Sequence, residues 1–229
     1  LGPSFTNPKT GQILGADIML EYVWFTNRVK YEKLYETFSE DANRYQGSVC
    51  YAGESIQQGN LFGTIALGKG VENFSQLEQH RLLYEGLVDL VLHEVGHTLG
   101  LNHNFYASQM HSFNNIHERH ITETVGVYSS VMDYTSANIG PDPKHHGQYY
   151  STVPGPYDIW AIEYGYTPSL DNPEDEKERV KTLLNKSTKN EYGFGNDADD
   201  MRSPGKGVDP RIMVNDMSND AIGYAQQRM

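Results

Sequence analysis

One eleven-residue stretch constrains this chain more than any other: residues 93–103 read HEVGHTLGLNH. His93 and His97 are four residues apart, so on a helix their imidazoles lie on one face, one turn apart, within reach of a single metal ion. Glu94 lies about 100° further round the helix axis. It can therefore face the open side of that ion without binding it. The pattern predicts a helix that carries two metal ligands and a carboxylate with a separate task.

The third histidine, His103, requires this helix to end. A helix continued from His97 would carry His103 roughly 9 Å along the axis, too far for a ring nitrogen that must lie ~2.0–2.1 Å from the metal. Gly100 permits a sharp turn because glycine adopts positive φ without steric cost. We therefore predict a long helix over residues 73–99 that stops at Gly100.

Three neutral nitrogens leave the fourth position of a tetrahedral zinc ion open for water, which is the pattern of a catalytic zinc site. Zinc lowers the pKa of that water, and a neighbouring carboxylate can take its proton and hand it to the leaving amine. The stretch thus predicts one catalytic Zn²⁺ held by His93, His97 and His103, with Glu94 as general base and then acid. The alternative is a histidine pair that binds no metal. It is disfavoured because the five fixed positions arise by chance with odds on the order of one in ten thousand.

The motif HExxHxxGxxH is the signature of the metzincin metallopeptidases, and residues 129–134 (SSVMDY) resemble their Met-containing turn. Further segments resemble a bacterial group of large exported metallopeptidases, the Met-zincins: GPSFTNPKTGQILGADIML, HNFYAS and PYDIWAIEYGY. The similarity runs from residue 2 to 166 and more thinly to the C-terminus. In addition, Tyr134 is similar to the tyrosine that astacins and serralysins place near zinc.

This resemblance implies an α+β, two-lobed catalytic domain. Residues 1–103 would form the upper lobe, with a mixed twisted sheet and the long active-site helix above the cleft. Residues 104–229 would form a mostly irregular and helical lower lobe with the Met-turn, where Met132 packs under the ligands and Asp158 caps or buttresses the site. Tyr134 would stabilise an oxyanion; the alternative is a packed tyrosine. The run 60–67 reads as a short strand, and residues 61–67 would pair with an extended substrate.

The implied activity is that of a zinc-dependent endopeptidase, a hydrolase that cleaves protein or peptide substrates. An alternative is a zinc-retaining peptide-binding module with little or no turnover, and a further one is a non-peptidase hydrolase that uses the same zinc site. The resemblance alone implies an extracytoplasmic location: secreted, periplasmic or at the cell surface. The start at Leu1-Gly2-Pro3, without an initiator Met or signal segment, leads us to expect a piece of a longer chain with flanking domains.

Composition narrows the partners. A formal charge of −12 disfavours binding of nucleic acid through its phosphates, and no apolar run approaches the ~20 residues that cross a membrane. The single cysteine, Cys50, excludes an internal disulfide or a Cys-based metal cage and is expected to be a small buried apolar residue. A group of Asn and Asp residues over 196–220 has two interpretations, a structural Ca²⁺ site or simple turns. These residues are Asn196, Asp197, Asp199, Asp200, Asp209, Asn215, Asp216 and Asp220.

Other patterns predict secondary structure. We expect a strand over 16–24, a helix over 28–39, a short helix over 116–125 and a loop over 136–156. Further helices are expected over 158–164, 173–185 and 221–225.

Overall fold

A computed structural model describes residues 4–18, 50–70, 76–140, 142, 146–200, 202 and 207–228. Two short strands, β1 (Ser4–Thr6) and β2 (Ile13–Ala16), pair antiparallel. The α-helices of the described residues are α1 (Ala52–Gly70), α2 (Gln76–Thr98), α3 (Arg119–Val125), α4 (Pro156–Tyr166), α5 (Pro173–Leu184) and α6 (Ala221–Arg228). Short 3₁₀ turns lie at Ala107–Met110, Asn115–His117, Asn185–Thr188 and Asn190–Tyr192. The architecture is therefore mixed helical with a small sheet, compatible with the expected α+β class.

Helix α1 contradicts the strand predicted over 60–67. Its buried residues, Ile56, Asn60, Gly63 and Leu67, recur every three or four positions, which is the period of a helix. A short apolar run cannot by itself distinguish a buried strand from a buried helix, and here residues 60–67 belong to the continuous helix Ala52–Gly70. The expected pairing of residues 61–67 with a substrate strand is therefore also wrong, because their backbone belongs to a helix.

The long helix and its stop agree with the prediction. Helix α2 ends at Thr98, and Gly100 has φ +89°. The Gly100 N–H donates to the His97 carbonyl at 3.0 Å, and the Leu101 N–H donates to the Gly96 carbonyl at 3.0 Å. These bonds satisfy carbonyls that the helix end would leave open, so the chain reverses within a few residues.

Four further helix predictions are confirmed. Helices α3, α4, α5 and α6 correspond to the segments predicted over 116–125, 158–164, 173–185 and 221–225, and each helix end lies within three residues of the predicted one. In α5 the Asn172 side chain accepts from the Glu174 N–H at 2.9 Å, which caps the helix start. No helix or strand occurs among the described residues of 136–155. The helix predicted over 28–39 and all but the first three residues of the strand predicted over 16–24 lie outside the described ranges.

The main core joins α1 and α2 to the segment that follows the Met-turn. Leu82 and Leu90 of α2 pack in one cluster with Phe105, Tyr134 and Tyr150. At Gly59 of α1 an added Cβ would lie 2.7 Å from the Ala137 backbone nitrogen, so only glycine allows this approach. The core thus spans the predicted boundary between 1–103 and 104–229, and that division stays a prediction.

A second cluster packs α6 against the loop that precedes the Met-turn; it is formed by Ala107, Ile116, Val127, Tyr128, Met217 and Tyr224. None of the helices in the described ranges is long and apolar enough to span a membrane.

Candidate metal centre

The three predicted histidines converge on one point. His93 and His97 extend from the last turns of α2, and His103 returns toward them after the Gly100 turn. One potential ligand atom from each, together with the Cys50 Sγ, lies within 4.8 Å of the others. His93 is 1% exposed and His103 is 9% exposed, so these two rings are largely shielded from water, whereas Cys50 and His97 are half-buried.

Every ring in this trio is oriented by an oxygen acceptor at its Nδ1 atom. The Nδ1 atoms of His93, His97 and His103 lie 2.7 Å from the Val131 carbonyl, 3.0 Å from the Leu101 carbonyl and 2.8 Å from the Asp197 Oδ2 atom, respectively. Carbonyl and carboxylate oxygens only accept, so each Nδ1 carries the hydrogen and each Nε2 keeps a lone pair. This is the arrangement found around metal-ligating histidines, and the donor set therefore fits zinc.

Electrostatics favour the neutral rings that a metal requires. Burial, followed by the neighbouring His97 and His103, lowers the pKa of His93 to about 3. Burial also lowers the pKa of His103, although the Asp197 carboxylate opposes this effect. Two of the three rings are thus held in the state that binds a cation.

Met132 lies directly against the helix that carries the first two histidines. Its side chain is fully buried, and a Cβ added at Gly96 would overlap its Sδ atom. The Asn104 N–H donates to the Met132 carbonyl at 3.0 Å, which ties the turn to the residue after His103. Gly96, whose role the motif did not indicate, is therefore the position that lets Met132 approach.

Asp158, expected to cap or buttress, makes contacts of both kinds. Its Oδ1 atom accepts from the Ser130 hydroxyl at 2.6 Å, and its Oδ2 atom accepts from the Val131 N–H at 2.9 Å. Oδ2 also accepts from the Gly155 N–H at 2.9 Å, at the start of α4. The carboxylate joins α4 to the turn whose Val131 carbonyl orients His93.

The two residues predicted to act in catalysis both face this cluster. Glu94 is 5% exposed, and its Oε1 atom lies 3.7 Å from the Cys50 Sγ. The Tyr134 hydroxyl lies 2.9 Å from the His103 Nε2 atom and accepts from the Tyr51 N–H at 2.8 Å. Burial, and then Cys50, raises the pKa of Tyr134, so the phenol is neutral and can donate a hydrogen bond.

A family model described as Met-zincin matches residues 76–229, more than half of the chain. The chain belongs to the Met-zincin family. Its matched segment contains all three histidines, Glu94, Met132 and Tyr134, whereas Cys50 precedes it. Comparisons with curated proteins and with solved structures give no match. Membership in the family, together with the His/Cys cluster, indicates a zinc-dependent metallopeptidase.

Two residues of this Met-zincin site had no motif to mark them. Cys50 is half-buried rather than fully buried, and its Sγ lies 3.3 Å from the His93 Nε2 atom. Asp197, 94 residues from His103, supplies the acceptor for that ring. The sequence predicted that Cys50 is a small buried apolar residue and that Asp197 belongs either to a calcium site or to simple turns, because neither residue has a local pattern that relates it to the histidines.

The Cys50 thiol is a weak acid in the protein without metal. Burial is the largest of the effects that raise its pKa. A bound cation reverses this preference, since a thiol that coordinates a metal is deprotonated outright. Its protonation in the absence of metal therefore does not disqualify it as a ligand.

The Met-zincin structure gives no support to the predicted calcium site. Asp200 and Asp209 pair with Arg202 and Arg211, respectively, and the Asp199 Oδ2 atom accepts from the Asn196 N–H at 3.3 Å. These oxygens already serve as partners of side chains and turn amides. Among the described residues, the cluster of Cys50 with the three histidines is the one group of three or more His, Cys, Asp or Glu side chains close enough together to hold a metal.

A cavity of about 250 Å³ opens beside Tyr134. Tyr51 and Glu54 from the start of α1 line one part of it, and Arg202 lines another. The Arg202 guanidinium lies 5.8 Å from the centre of the Tyr134 ring. The cavity thus adjoins the metal centre through the same tyrosine.

Proposed function

We propose that this chain is a zinc-dependent endopeptidase in which His93, His97 and His103 hold one catalytic Zn²⁺. The observation that carries the proposal is the convergence of three Nε2 lone pairs beside a buried carboxylate. Each Nδ1 atom is occupied by an oxygen acceptor at 3.0 Å or less, so each ring presents its other nitrogen to the centre of the cluster. The family match supports the same chemistry.

Bound zinc would supply Lewis acidity, lowering the pKa of a water molecule to about 7 and polarising a peptide carbonyl. Glu94 would take a proton from that water, a role supported by its position beside the cluster, where its Oε1 atom lies 3.7 Å from the Cys50 Sγ. The Glu94 carboxyl would then deliver the proton to the leaving amine nitrogen. General base and acid catalysis of this kind typically contributes 10²–10⁴-fold to a rate.

Tyr134 would donate its phenolic hydrogen bond to the substrate oxygen on which negative charge develops. In the structure this hydroxyl lies 2.9 Å from the His103 Nε2 atom, whose lone pair bound zinc would take, and the Tyr51 N–H holds the hydroxyl oxygen in place. A neutral phenol fixed from one side by a backbone amide is a preorganised donor.

The proposed substrates are proteins or peptides. We propose that the cavity beside Tyr134 receives a side chain next to the scissile bond, with Glu54 and Arg202 giving its wall polar character of both signs. The proposed location is extracytoplasmic. The other candidate function, a zinc-retaining peptide-binding module, is favoured by one observation: the Cys50 Sγ lies within 4.8 Å of a potential ligand atom of each histidine, close enough to serve as a fourth ligand.

A mixed peptide library separates these candidates. The zinc-loaded chain and its Glu94→Ala variant are incubated with the library, and the products are read by mass spectrometry. Cleavage by the parent chain that Glu94→Ala abolishes, with one zinc per chain in both, supports the endopeptidase. Glu178→Ala, on the exposed face of α5, is the control and should cleave normally. Equal cleavage by Glu94→Ala would contradict the proposed mechanism, and no cleavage by the zinc-loaded parent, by Glu178→Ala or by Cys50→Ser would favour the binding module.

A further inference from the structure

The separation between Cys50 and His93 matches that of two ligands on one zinc ion. With Zn–N bonds of ~2.0–2.1 Å and a Zn–S bond of ~2.3 Å, a nitrogen and a sulfur on a tetrahedral ion lie roughly 3.5 Å apart. The observed distance from the Cys50 Sγ to the His93 Nε2 atom is 3.3 Å. That nitrogen is the one left with a lone pair, because its partner Nδ1 is bonded to the Val131 carbonyl.

Cys50 is held at this place by contacts of the residues that follow it. The Tyr51 N–H donates to the Tyr134 hydroxyl at 2.8 Å, and the Ser55 hydroxyl donates to the Thr135 carbonyl at 3.0 Å. These bonds attach the start of α1 to the segment after Met132. The sulfur is therefore held near the histidines by two hydrogen bonds, one to the Tyr134 hydroxyl and one to the carbonyl of the next residue, Thr135.

We propose that Cys50 is a fourth protein ligand of the zinc ion and that it closes the metal centre in this conformation. The proposal rests on the proposed function, since it takes the three histidines as the zinc site. A zinc site with four protein ligands is of the closed type, whereas a catalytic site keeps one position for water. Binding of the sulfur releases its proton to solvent, as metal binding to thiols does.

The consequence is a latent enzyme whose active form requires Cys50 to leave the ion. Glu94 and Tyr134 are already in place around the cluster, so loss of the sulfur ligand is the remaining change. Because Cys50 precedes the segment matched by the family model, this ligand is an addition to the histidine motif. Replacing Cys50 with Ser, which is nearly isosteric, should open the site and raise the rate of peptide cleavage at least tenfold.

The first test is zinc X-ray absorption of the zinc-loaded chain, compared with its Cys50→Ser variant. The chain contains a single cysteine, so a thiolate sulfur at ~2.3 Å from zinc that disappears in Cys50→Ser can come only from this residue. A zinc shell of nitrogen and oxygen alone in the parent chain would overturn the proposal while leaving the endopeptidase intact. A sulfur in the shell, with no cleavage by the parent or by Cys50→Ser, would uphold the ligand and reject the endopeptidase.

The second test makes its main comparison in the native chain. A thiol-specific colorimetric reagent reports on Cys50 alone, so its rate of reaction is measured in the native chain with and without one equivalent of zinc. We expect zinc to slow the reaction at least tenfold and a chelator to restore it. His97→Ala, which lacks one proposed ligand, is the control and should lose most of the protection. Equal reaction rates with and without bound zinc would overturn the proposal.

Discussion

The His103 Nδ1 atom donates a hydrogen bond of 2.8 Å to the Asp197 Oδ2 atom, joining residues that lie 94 positions apart. The acceptors of the other two rings are backbone carbonyls, so His103 is the proposed ligand that depends on a carboxylate. Carboxylates that bond a ligating histidine orient the ring and raise its basicity. The contact thus ties the third ligand to the Gly- and Asn-rich segment that follows α5.

Replacing Asp197 should therefore weaken zinc binding. We expect Asp197→Ala to lower the zinc affinity by about 10–100-fold, the range typical of such outer partners. Asp197→Asn keeps an acceptor oxygen but loses the charge, so its zinc affinity should lie between those of the parent chain and Asp197→Ala. Affinity is measured by competition with a chromophoric chelator. Asp199→Asn, in the same turn but bonded to the Asn196 amide, is the matched control. An unchanged affinity in Asp197→Ala would show that the contact does not support the site.

The parts of the site that could be predicted are those that depend on residue spacing within one short segment of the sequence. His93, Glu94 and His97 share one turn of helix, and Gly100 is needed for His103 to return, so elementary helix geometry relates all of them. The roles proposed for these residues remain predictions, although the structure brings them together. The helices near residues 158–184 were predictable for the same reason, since charge pattern and capping residues act within one segment.

Cys50 and Asp197 could not be predicted because their relation to the histidines is purely tertiary. Each is linked to the site by contacts across 43 or 94 residues, and no local pattern encodes such a distance. The strand wrongly predicted over 60–67 failed for a related reason. Its apolar run is compatible with either period, and packing of α1 against Ala137 and Tyr150 selects the helix.

Tyr134→Phe tests the oxyanion role. Removing one preorganised donor should lower kcat by about 10²–10³-fold, with KM changed little, because the interaction strengthens only as charge develops. Zinc content should stay at one per chain. Steady-state kinetics on a peptide found in the library provide the measurement, with Tyr134→Phe made and compared in the Cys50→Ser background, because the Tyr134 hydroxyl also holds the residue that follows Cys50. Tyr106→Phe, which loses a hydroxyl bonded to Asn190 away from the cluster, is the control. If Tyr134→Phe has the same kcat as the parent, Tyr134 contributes packing only and does not stabilise an oxyanion.

Gly96→Ala tests the contact between α2 and the Met-turn. The new Cβ would overlap the buried Met132 Sδ atom, and overpacking of this kind costs about 1–3 kcal/mol of unfolding free energy. Denaturant unfolding of the metal-free chain measures the loss. At Gly165 of α4 a Cβ meets nothing within 4 Å, so Gly165→Ala should be neutral or slightly stabilising. If Gly96→Ala and the parent have the same free energy of unfolding, the Met-turn moves away from the new Cβ without loss of stability.

Asp89, one turn before His93 on α2, should make stability depend on pH. It is 3% exposed, and this burial is the main reason that its pKa rises to about 8. The hydrogen bond that the Tyr128 hydroxyl donates to it lowers the pKa, whereas the nearby Asp158 charge raises it further. Between pH ~4 and ~8 the folded chain thus holds a proton that the unfolded chain has released. The contribution of this group to stability is complete below pH ~4 and is lost as the pH rises toward 8.

The measurement is the free energy of unfolding at several pH values for the metal-free chain and for Asp89→Asn. One proton corresponds to a slope of at most about 1.4 kcal/mol per pH unit, so the decline between pH 5 and 7 should be shallower in Asp89→Asn by up to that amount. Other buried carboxyls whose pKa is raised, such as Asp216 at about 7, keep a residual slope in both proteins. Asp171→Asn, in the exposed loop before α5, controls for the loss of a surface carboxylate. Parallel curves for Asp89→Asn and the parent would mean that Asp89 is charged in the folded chain, and the buried Tyr128 hydrogen bond would then have to stabilise a carboxylate.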